Sequence, residues 1–471
     1  MIQALLYSLP EITLLTLASA MLLFDVCQKH KRPLLAYGTT QLILVIVAFL
    51  VNRTAFLPPQ IVFDGHFILD PLALVLKLVV LLTVFVTLLY ARSSKETPAQ
   101  AEYYTLILFA TLGMMLIISS HSLLMLYLGL ELFSLSLYAL VAMNHQTLST
   151  EAAMKYFVLG ALASGFFLYG LSLLFGVTGS LDLDRISFVL ASIQAHNPLL
   201  WVGLLFIMAG FLFKWGGAPF HMWIPDVYEG APLPITLFIA SAPKIAAFAL
   251  TYRLLSTALI DLSGLWWPLL GVVAVLSLAI GNWGALVQTN IKRLLAYSTI
   301  AQVGFILLGL MIGADIGFEA SLLYTLIYVF TTTAAFGILL WLSKHEREII
   351  TLQDLQGLSQ QYPWMAFLLL LVCFSLAGVP PLAGFFAKFW VLQGLIDQGM
   401  VALALLAVVF SVIGAVYYLK LIKIMYFEAP VRPWIAVTVE TPWILSLNTL
   451  LILFFGIYPA GIMTLCQNIL D

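Results

Sequence analysis

Charge is scarce in this sequence. Asp, Glu, Lys and Arg make up 9% of 471 residues, against 63% apolar residues. A soluble domain carries about 25% charged residues, so most of this chain's surface cannot face water. The net charge of -2 says nothing about nucleic acid, but there is no basic tract and no polar domain to carry one, so no nucleic-acid partner is expected. Cysteine is nearly absent. Cys27, Cys373 and Cys466 lack metal or redox spacing and read as small apolar residues. No iron–sulfur, haem or flavin motif is visible, so no cofactor is expected within the chain. A basic region ahead of the first apolar run is missing too. Basic residues follow that run instead, so the segment up to Phe24 reads as a retained span and not a cleaved signal.

What is present is a succession of apolar runs of roughly 20 residues, each long enough to cross ~30 Å of hydrocarbon. Hydropathy gives fourteen spans, near 4–26, 34–52, 70–91, 103–119, 121–143, 152–177, 199–223, 233–256, 266–289, 294–313, 318–342, 364–394, 400–427 and 440–465. No polar domain interrupts them, so residues 1–471 read as one polytopic, all-α membrane domain. Basic residues set the orientation. With both termini outside, cytoplasmic segments hold Lys29, Lys31, Arg32, Arg92, Lys95, Lys292, Arg293, Lys344, Arg347, Lys420, Lys423 and Arg432, and the outside holds Arg53, Arg185 and Arg253. Twelve against three fits the positive-inside bias, and an odd number of spans would scramble it.

Five lysines fall within spans: Lys77, Lys155, Lys214, Lys244 and Lys388. Among acidic residues, Glu131 alone sits in the middle of one. A charge at mid-membrane costs about 2.5–3.5 kcal/mol on insertion scales, so these groups need a compensating reason. One glutamate offers at most one ion pair. The other lysines then sit in hydrated cavities or are neutral. Desolvation favours the neutral amine, which brings a lysine near the range where it takes and releases a proton at neutral pH. Lys77 has no local companion and reads as structural. Snorkelling competes at Lys155, one turn inside its span. His221 lies near Asp226 and Glu229, where a helix-end histidine held by loop carboxylates competes with a proton shuttle. His121, in the outer loop, reads as structural.

Helix breaks single out two of the lysines. The seventh span reads Lys214-Trp215-Gly216-Gly217-Ala218-Pro219, and the twelfth reads Ala377-Gly378-Val379-Pro380-Pro381-Leu382-Ala383-Gly384 ahead of Lys388. Gly and Pro within a span free backbone polar groups, which protein or cavity water must satisfy. The breaks are five spans apart. They imply two inverted five-helix repeats, spans four to eight (103–256) and nine to thirteen (266–427), with an ion site at the interrupted segments. In the eighth span, Ser241-Ala242-Pro243-Lys244 places a proline-induced kink beside Lys244.

At this point the residues resemble a known family, the antiporter-like proton-pumping subunits of respiratory complex I. The resemblance rests on Leu128–Tyr138 (LGLELFSLSLY), Lys155-Tyr156-Phe157, the run from Lys214 through Pro219–Pro232 (PFHMWIPDVYEGAP) to Lys244, Gln288–Ser298 (QTNIKRLLAYS), and Ala377-Gly378-Val379-Pro380 to Lys388. Sister subunits L and M tend to read P-L-H-x-W-L-P-D-A where this chain has PFHMWIPDVY. Subunit M has Glu at the position of Lys388, and subunit L continues into a long lateral helix after the bundle.

The resemblance implies a proton-translocating subunit of a bacterial NADH:quinone oxidoreductase in the inner membrane, with both termini periplasmic. It implies neighbouring antiporter-like and small membrane subunits as partners, linked through them to the NADH-oxidising arm. NADH, FMN, iron–sulfur clusters and quinone would belong to the complex and not to this chain, which would hold no catalytic centre. It also implies that Glu131 pairs with Lys214 and tunes its hold on a proton. Lys155 and Lys244 would continue a hydrated axis, and Lys388 would end the second half-channel. One ion pair at 4 Å is worth about 4 kcal/mol at an effective dielectric near 20, enough to switch a lysine between loaded and unloaded. Lys292, in the QTNIKR element, and His221 are minor candidates. One departure stands out: where relatives often have a histidine in the tenth span, this chain has Gln302, which cannot titrate. The same motifs occur in multisubunit cation/proton antiporters and membrane-bound hydrogenases, the alternative readings. A purely structural membrane scaffold is the third.

Overall fold

The computed structural model describes residues 2–27, 33–92, 101–144, 146–192, 197–313, 315–345, 350–430 and 443–470. Lys29, Lys31, Arg32, Lys95, Arg347 and Arg432, used above for orientation, lie outside the described residues. The described chain is helical almost throughout. Its helices of eight residues or more are α1 (Leu9–Cys27), α2 (Pro33–Thr54), α3 (Pro71–Ala91), α4 (Ala101–Ile118), α5 (Leu123–Ala142), α6 (Thr147–Thr178), α7 (Leu183–Leu190), α8 (Pro198–Trp215), α9 (Trp223–Gly230), α10 (Leu233–Ala240), α11 (Ala242–Tyr252), α12 (Ser263–Leu286), α13 (Ile291–Ile312), α14 (Asp315–His345), α15 (Pro363–Ala377), α16 (Ala383–Asp397), α17 (Val401–Phe427), α18 (Trp443–Ile457) and α19 (Pro459–Leu470). A short antiparallel hairpin, β1 (Gln60–Val62) with β2 (Phe67–Leu69), follows α2.

Twelve helical segments are long and apolar enough to cross a bilayer one by one. The two remaining expected spans are not continuous helices. The twelfth is split into α15 and α16 around Gly378–Leu382. The fourteenth, expected over 440–465, is bent: α18 and α19 meet at an angle of 87°. Pro459 opens the second piece, since its ring and missing N–H stop a preceding helix from continuing. α18 has 15 residues, about 22 Å at 1.5 Å per residue, short of the ~30 Å core. Large apolar side chains point outward, among them Leu405, Val409 and Val412 on α17 and Leu162 and Leu168 on α6, as a surface facing lipid or other apolar subunits requires.

The contacts divide the chain into two compact units. The first comprises Met1–Arg92, Thr97–Lys214 and Ala242–Trp266; the second comprises Ser93–Glu96, Trp215–Ser241 and Trp267–Asp471. Within the first unit, segments assigned above to one side of the membrane meet. β2 bonds to the loop after α4 (Ile68 N–H to Ser119 O, 2.9 Å), and that loop bonds to the one before α7 (Leu123 N–H to Leu181 O, 2.9 Å). Ser187 donates to Asp261, beyond α11, at 3.0 Å. In the second unit, segments given the opposite side meet likewise. Ile291 N–H donates to Ile350 O at 2.9 Å, and Gly357 N–H to Ile424 O at 3.3 Å. An odd slip in the span count within either unit would have put such partners at opposite ends.

One clamp in the first unit is electrostatic. Asp70 caps α3 by accepting from Ala73 N–H at 2.8 Å. Its two oxygens also accept from Arg253 Nη1 and Nη2 at 2.5 and 2.8 Å, and the guanidinium bonds Ile118 O at the end of α4 at 3.1 Å. Burial pushes the Asp70 carboxyl up, but the Arg253 charge and its hydrogen bonds outweigh this and hold it below its ordinary value. A depressed carboxylate contributes stability at neutral pH that is lost as pH falls through the depressed value, so this clamp is expected to release in acid below the usual carboxylate range. Asp70→Asn leaves Arg253 buried without its counter-charge, an expected loss of about 3 kcal/mol. A lowered thermal midpoint, partly recovered when Arg253→Gln is added, is the check. A single variant melting like the parent would rule the clamp out.

Candidate functional site

The first part of the site is a face of α5. Ser122 caps this helix by accepting from Met125 N–H at 3.3 Å. Glu131, Ser134 and Tyr138 stand at i, i+3 and i+7, so they share one face. Lys214, buried in the last turn of α8, donates to Ser134 Oγ at 2.7 Å and to Tyr138 OH at 3.4 Å. Its ammonium also lies 5.5 Å from the Phe133 ring centre and 5.7 Å from that of Tyr138, within cation–π range. Glu131, half-buried one turn from Ser134, leaves Oε1 buried with no hydrogen-bond partner. The expected direct Glu131–Lys214 pair is therefore not formed. Ser134 and Tyr138 hold the ammonium instead, because they are the polar groups on that face that lie within reach. Gly160 on α6 makes room for this tyrosine: a Cβ there would come within 1.9 Å of the Tyr138 hydroxyl.

The seventh span breaks as its sequence requires. After Trp215, Gly216 takes φ +75°, and a Cβ on it would fall 1.8 Å from Ile224 Cδ1, so glycine is needed for both conformation and space. Ala218 N–H, freed by the break, finds Ser277 Oγ on α12 at 2.9 Å. The eighth span is interrupted at Ser241, where α10 ends ahead of Pro243. Lys244 follows on α11 and is buried.

The second part of the site is the break in the twelfth span. α15 ends at Ala377, and Gly378 turns with φ +86°. The last carbonyls of a helix have no intrahelical partner and carry its negative dipole end. Lys388, buried on α16, donates to two of them, Leu376 O and Ala377 O, both at 3.0 Å, and to Ser411 Oγ on α17 at 3.1 Å. Its ammonium is 5.1 Å from the Phe305 ring centre. Among the described residues, neither Lys214 nor Lys388 has a carboxylate within ion-pair distance.

Gln302 occupies the middle of a buried polar cluster. Its amide donates to Leu376 O and to Tyr418 OH, both at 3.1 Å, and accepts from Tyr324 OH. Tyr418 in turn bonds Ser298 Oγ at 2.5 Å. Gln302 and Lys388 thus share one acceptor, the Leu376 carbonyl. Beside them lies a cavity of about 10 Å³, bordered by Gln302, Tyr324, Tyr328, Thr331, Ser375 and Gly384, which is on the order of the space one water needs. The untitratable link noted in the sequence is a saturated amide among hydroxyls.

The structure places the remaining candidates. Lys77, without a companion near it in sequence and read as structural, pairs with a distant one: Glu11 Oε1, from α1, lies 2.5 Å from its ammonium with both side chains almost fully buried. Sixty-six residues separate the two, so no local pattern joins them. Lys155 is not buried; it is 43% exposed on α6 and pairs with Glu151 at 2.7 Å across one helical turn. With these two pairs, more than one buried or span-borne lysine has an acidic partner, against the sequence argument that one glutamate allows one pair. His221 is not held by the loop carboxylates. Asp226 and Glu229 accept from Arg293 at 2.9 and 2.8 Å, and His221 Nδ1 has no hydrogen-bond partner. Lys292 donates to Ala231 O, just past the end of α9, at 3.2 Å. With Asn290, which bonds Glu229 at 3.0 Å and caps α13, it makes the QTNIKR element an anchor for the loop after the seventh-span break.

Two broken spans, each with a buried lysine at its break and neutral oxygens around the ammonium, define a multi-span membrane subunit of the antiporter type. The family described as "NADH:quinone oxidoreductase/Mrp antiporter, TM" matches residues 120–414. A relative from Thioalkalivibrio sulfidiphilus, NADH-quinone oxidoreductase subunit N, is 46% identical over 465 residues, covering 98% of this chain and 97% of that one. A chain of respiratory complex I from Thermus thermophilus with bound aureothin superposes with a TM-score of 0.81 at 33% identity, over 97% of this chain and 98% of that chain. A chain of the Mrp complex from Dietzia sp. has the same fold, with a TM-score of 0.85 at 20% identity over 100% and 98% of the two chains. The chain belongs to the NADH-quinone oxidoreductase subunit N family.

Proposed function

We propose that this chain translocates protons through Glu131, Lys214, Lys244 and Lys388 as a membrane subunit of an NADH:quinone oxidoreductase. The observation that carries this reading is the setting of Lys214 and Lys388: each is buried at a helix break and held by neutral oxygens. An ammonium paired to a carboxylate is locked in its charged form. One held by hydroxyls and carbonyls keeps partners after it loses a proton, because the amine still donates hydrogen bonds. In this reading Lys214 alternates between Ser134 with Tyr138 and Glu131 one turn away, and electron transfer elsewhere in the complex drives the change.

The five-helix repeats of 103–256 and 266–427 belong to the reading. They are supported by the like construction of the two breaks, each with a left-handed glycine directly after a helix end and a buried lysine beside it. Gln302 passes no proton itself; the hydroxyls of Ser298, Tyr324 and Tyr418 and the adjoining cavity make the connection toward Lys388. Lys155, in an exposed pair, is a peripheral group. NADH, FMN, iron–sulfur clusters and quinone are assigned to other subunits, and this chain to proton movement without a redox centre. The positive-inside distribution assigns both termini to the periplasmic side of the inner membrane.

Glu131→Gln tests the reading. In membrane vesicles driven by NADH, proton uptake per electron is expected to fall several-fold while the complex assembles. Unchanged uptake would favour the scaffold reading. Isolation of the chain with other antiporter subunits, and without flavin and iron–sulfur partners, would favour the antiporter alternative.

A further inference from the structure

The end of the first unit that carries the β1–β2 hairpin holds a cluster that the proton path does not use. Residues 119–123 run there between the hairpin and the segment before α7, joined to each by an isolated β-bridge. On one side Ile68 N–H donates to Ser119 O at 2.9 Å and His121 N–H to His66 O at 3.0 Å; on the other, Leu123 N–H donates to Leu181 O at 2.9 Å and Leu183 N–H to His121 O at 3.2 Å. The backbone of His121 is therefore fixed from both sides against the segment that opens α7. Asp182 caps α7 through Oδ1, which accepts from Arg185 N–H at 2.9 Å, and Asp184 follows in its first turn. The His121 ring is 4% exposed, and its Nε2 lies 3.0 Å from Asp184 Oδ2. Outside the cluster, no other polar partner of this imidazole is found among the described residues. One ligand atom each from His121, Asp182 and Asp184 lie within 4.8 Å of one another.

We infer that His121, Asp182 and Asp184 form a binding site for a divalent transition-metal ion of the zinc class, with a further coordination position open to solvent. The donor set decides the class. One imidazole with two carboxylates suits zinc-like ions at about 2.0–2.2 Å per bond, whereas magnesium and calcium take oxygen ligands alone and more of them. In tetrahedral geometry, bonds of that length set ligand atoms roughly 3.4 Å apart. The His121–Asp184 pair, at 3.0 Å, is already that close; the widest pair, within 4.8 Å, has to close by up to roughly 1.4 Å, and Asp184, whose side chain is 62% exposed, is free to move. His121 and Asp182 are already set by the backbone bonds, so little ordering is left to oppose binding.

The position gives the site a consequence. His121 immediately precedes Ser122, the cap of α5, whose face carries Glu131, Ser134 and Tyr138. A bound ion ties the start of α5 to the start of α7. If α5 must shift for Lys214 to change partners, a point that rests on the proposed function, the ion slows proton translocation.

The experiment uses the whole purified complex, treated with chelator and then dialysed to equilibrium against zinc. Replacing His121 by Gln is expected to remove one zinc per complex. Asp184→Asn, at an exposed position, is expected to weaken that same zinc by roughly tenfold or more. Native electrophoresis shows whether each variant assembles, and Asp184→Asn decides alone if the other does not. Parental zinc stoichiometry and affinity in an assembled variant would overturn the site. Zinc is further expected to inhibit proton uptake in the parent and not in the variants. Equal inhibition in both, with binding lost, would overturn the link to α5. Binding is read without any proton movement, so failure of the proton-path reading is recorded separately by the Lys214 and Lys388 variants.

Discussion

Lys214→Met is expected to abolish most proton translocation while leaving the complex assembled. Methionine matches the length of lysine and its apolar stem. It gives up the hydrogen bonds to Ser134 and Tyr138, about 1.5–3 kcal/mol for bonds to a charged group. It also removes the cost of holding an ammonium in a dry site, which is of similar size or larger. The fold is therefore expected to tolerate the change. The proton carrier is gone, and loss of a positioned acid–base group costs roughly a hundredfold or more in rate. Lys214→Arg separates charge from proton transfer. Arginine keeps the charge but does not give up its proton in proteins, so it is expected to be as inactive as methionine. Ser134→Ala removes one of two acceptors and is expected to have a much smaller effect. Proton uptake per electron in NADH-driven vesicles is the measurement. An arginine variant that pumps like the parent would reduce Lys214 to a fixed charge.

Lys388→Met carries the second large effect. Here the ammonium is held by the negative end of α15 through Leu376 O and Ala377 O, with Ser411 as third partner. The end of a helix is equivalent to about half a negative charge, which steadies an ammonium without fixing it as a carboxylate would. Methionine leaves Ala377 O without its lysine donor, while Leu376 O keeps the Gln302 amide. The break at Gly378 is expected to persist, because its turn depends on glycine and on backbone bonds to Phe374 O and Ser375 O. Proton uptake is expected to fall as far as with Lys214→Met, since the proposed path places the two lysines in series. For the same reason the double variant is expected to lose little more than either single one. Additive losses would place the two lysines on separate paths.

Much of the fold was legible because the solvent dictates it. Backbone groups in lipid must be satisfied within the segment, so long apolar runs become helices, and twelve of the fourteen expected spans appear as helical segments long enough to cross, near their expected places. The breaks at Gly216 and Gly378 were readable too, since only glycine takes those backbone angles without strain. The bend in the fourteenth span was not legible because hydropathy averages over Tyr458-Pro459 and does not register direction. Whether Lys155 snorkels stayed open in the sequence because a helical run has two sides, and hydropathy does not say which of them is exposed.

The sequence by itself determined the membrane class, the multi-span plan, the two breaks and the lysines beside them. Each follows from local chemistry: apolar length, basic residues in loops, and Gly or Pro where a helix cannot run on. The tertiary structure alone decided what holds each charge. Lys77 meets Glu11 across sixty-six residues, Arg253 meets Asp70 across 183, and Lys214 meets hydroxyls instead of the glutamate a turn away. Charge–charge and hydrogen-bond energies depend on ångström separations, and packing between helices distant in sequence sets those separations.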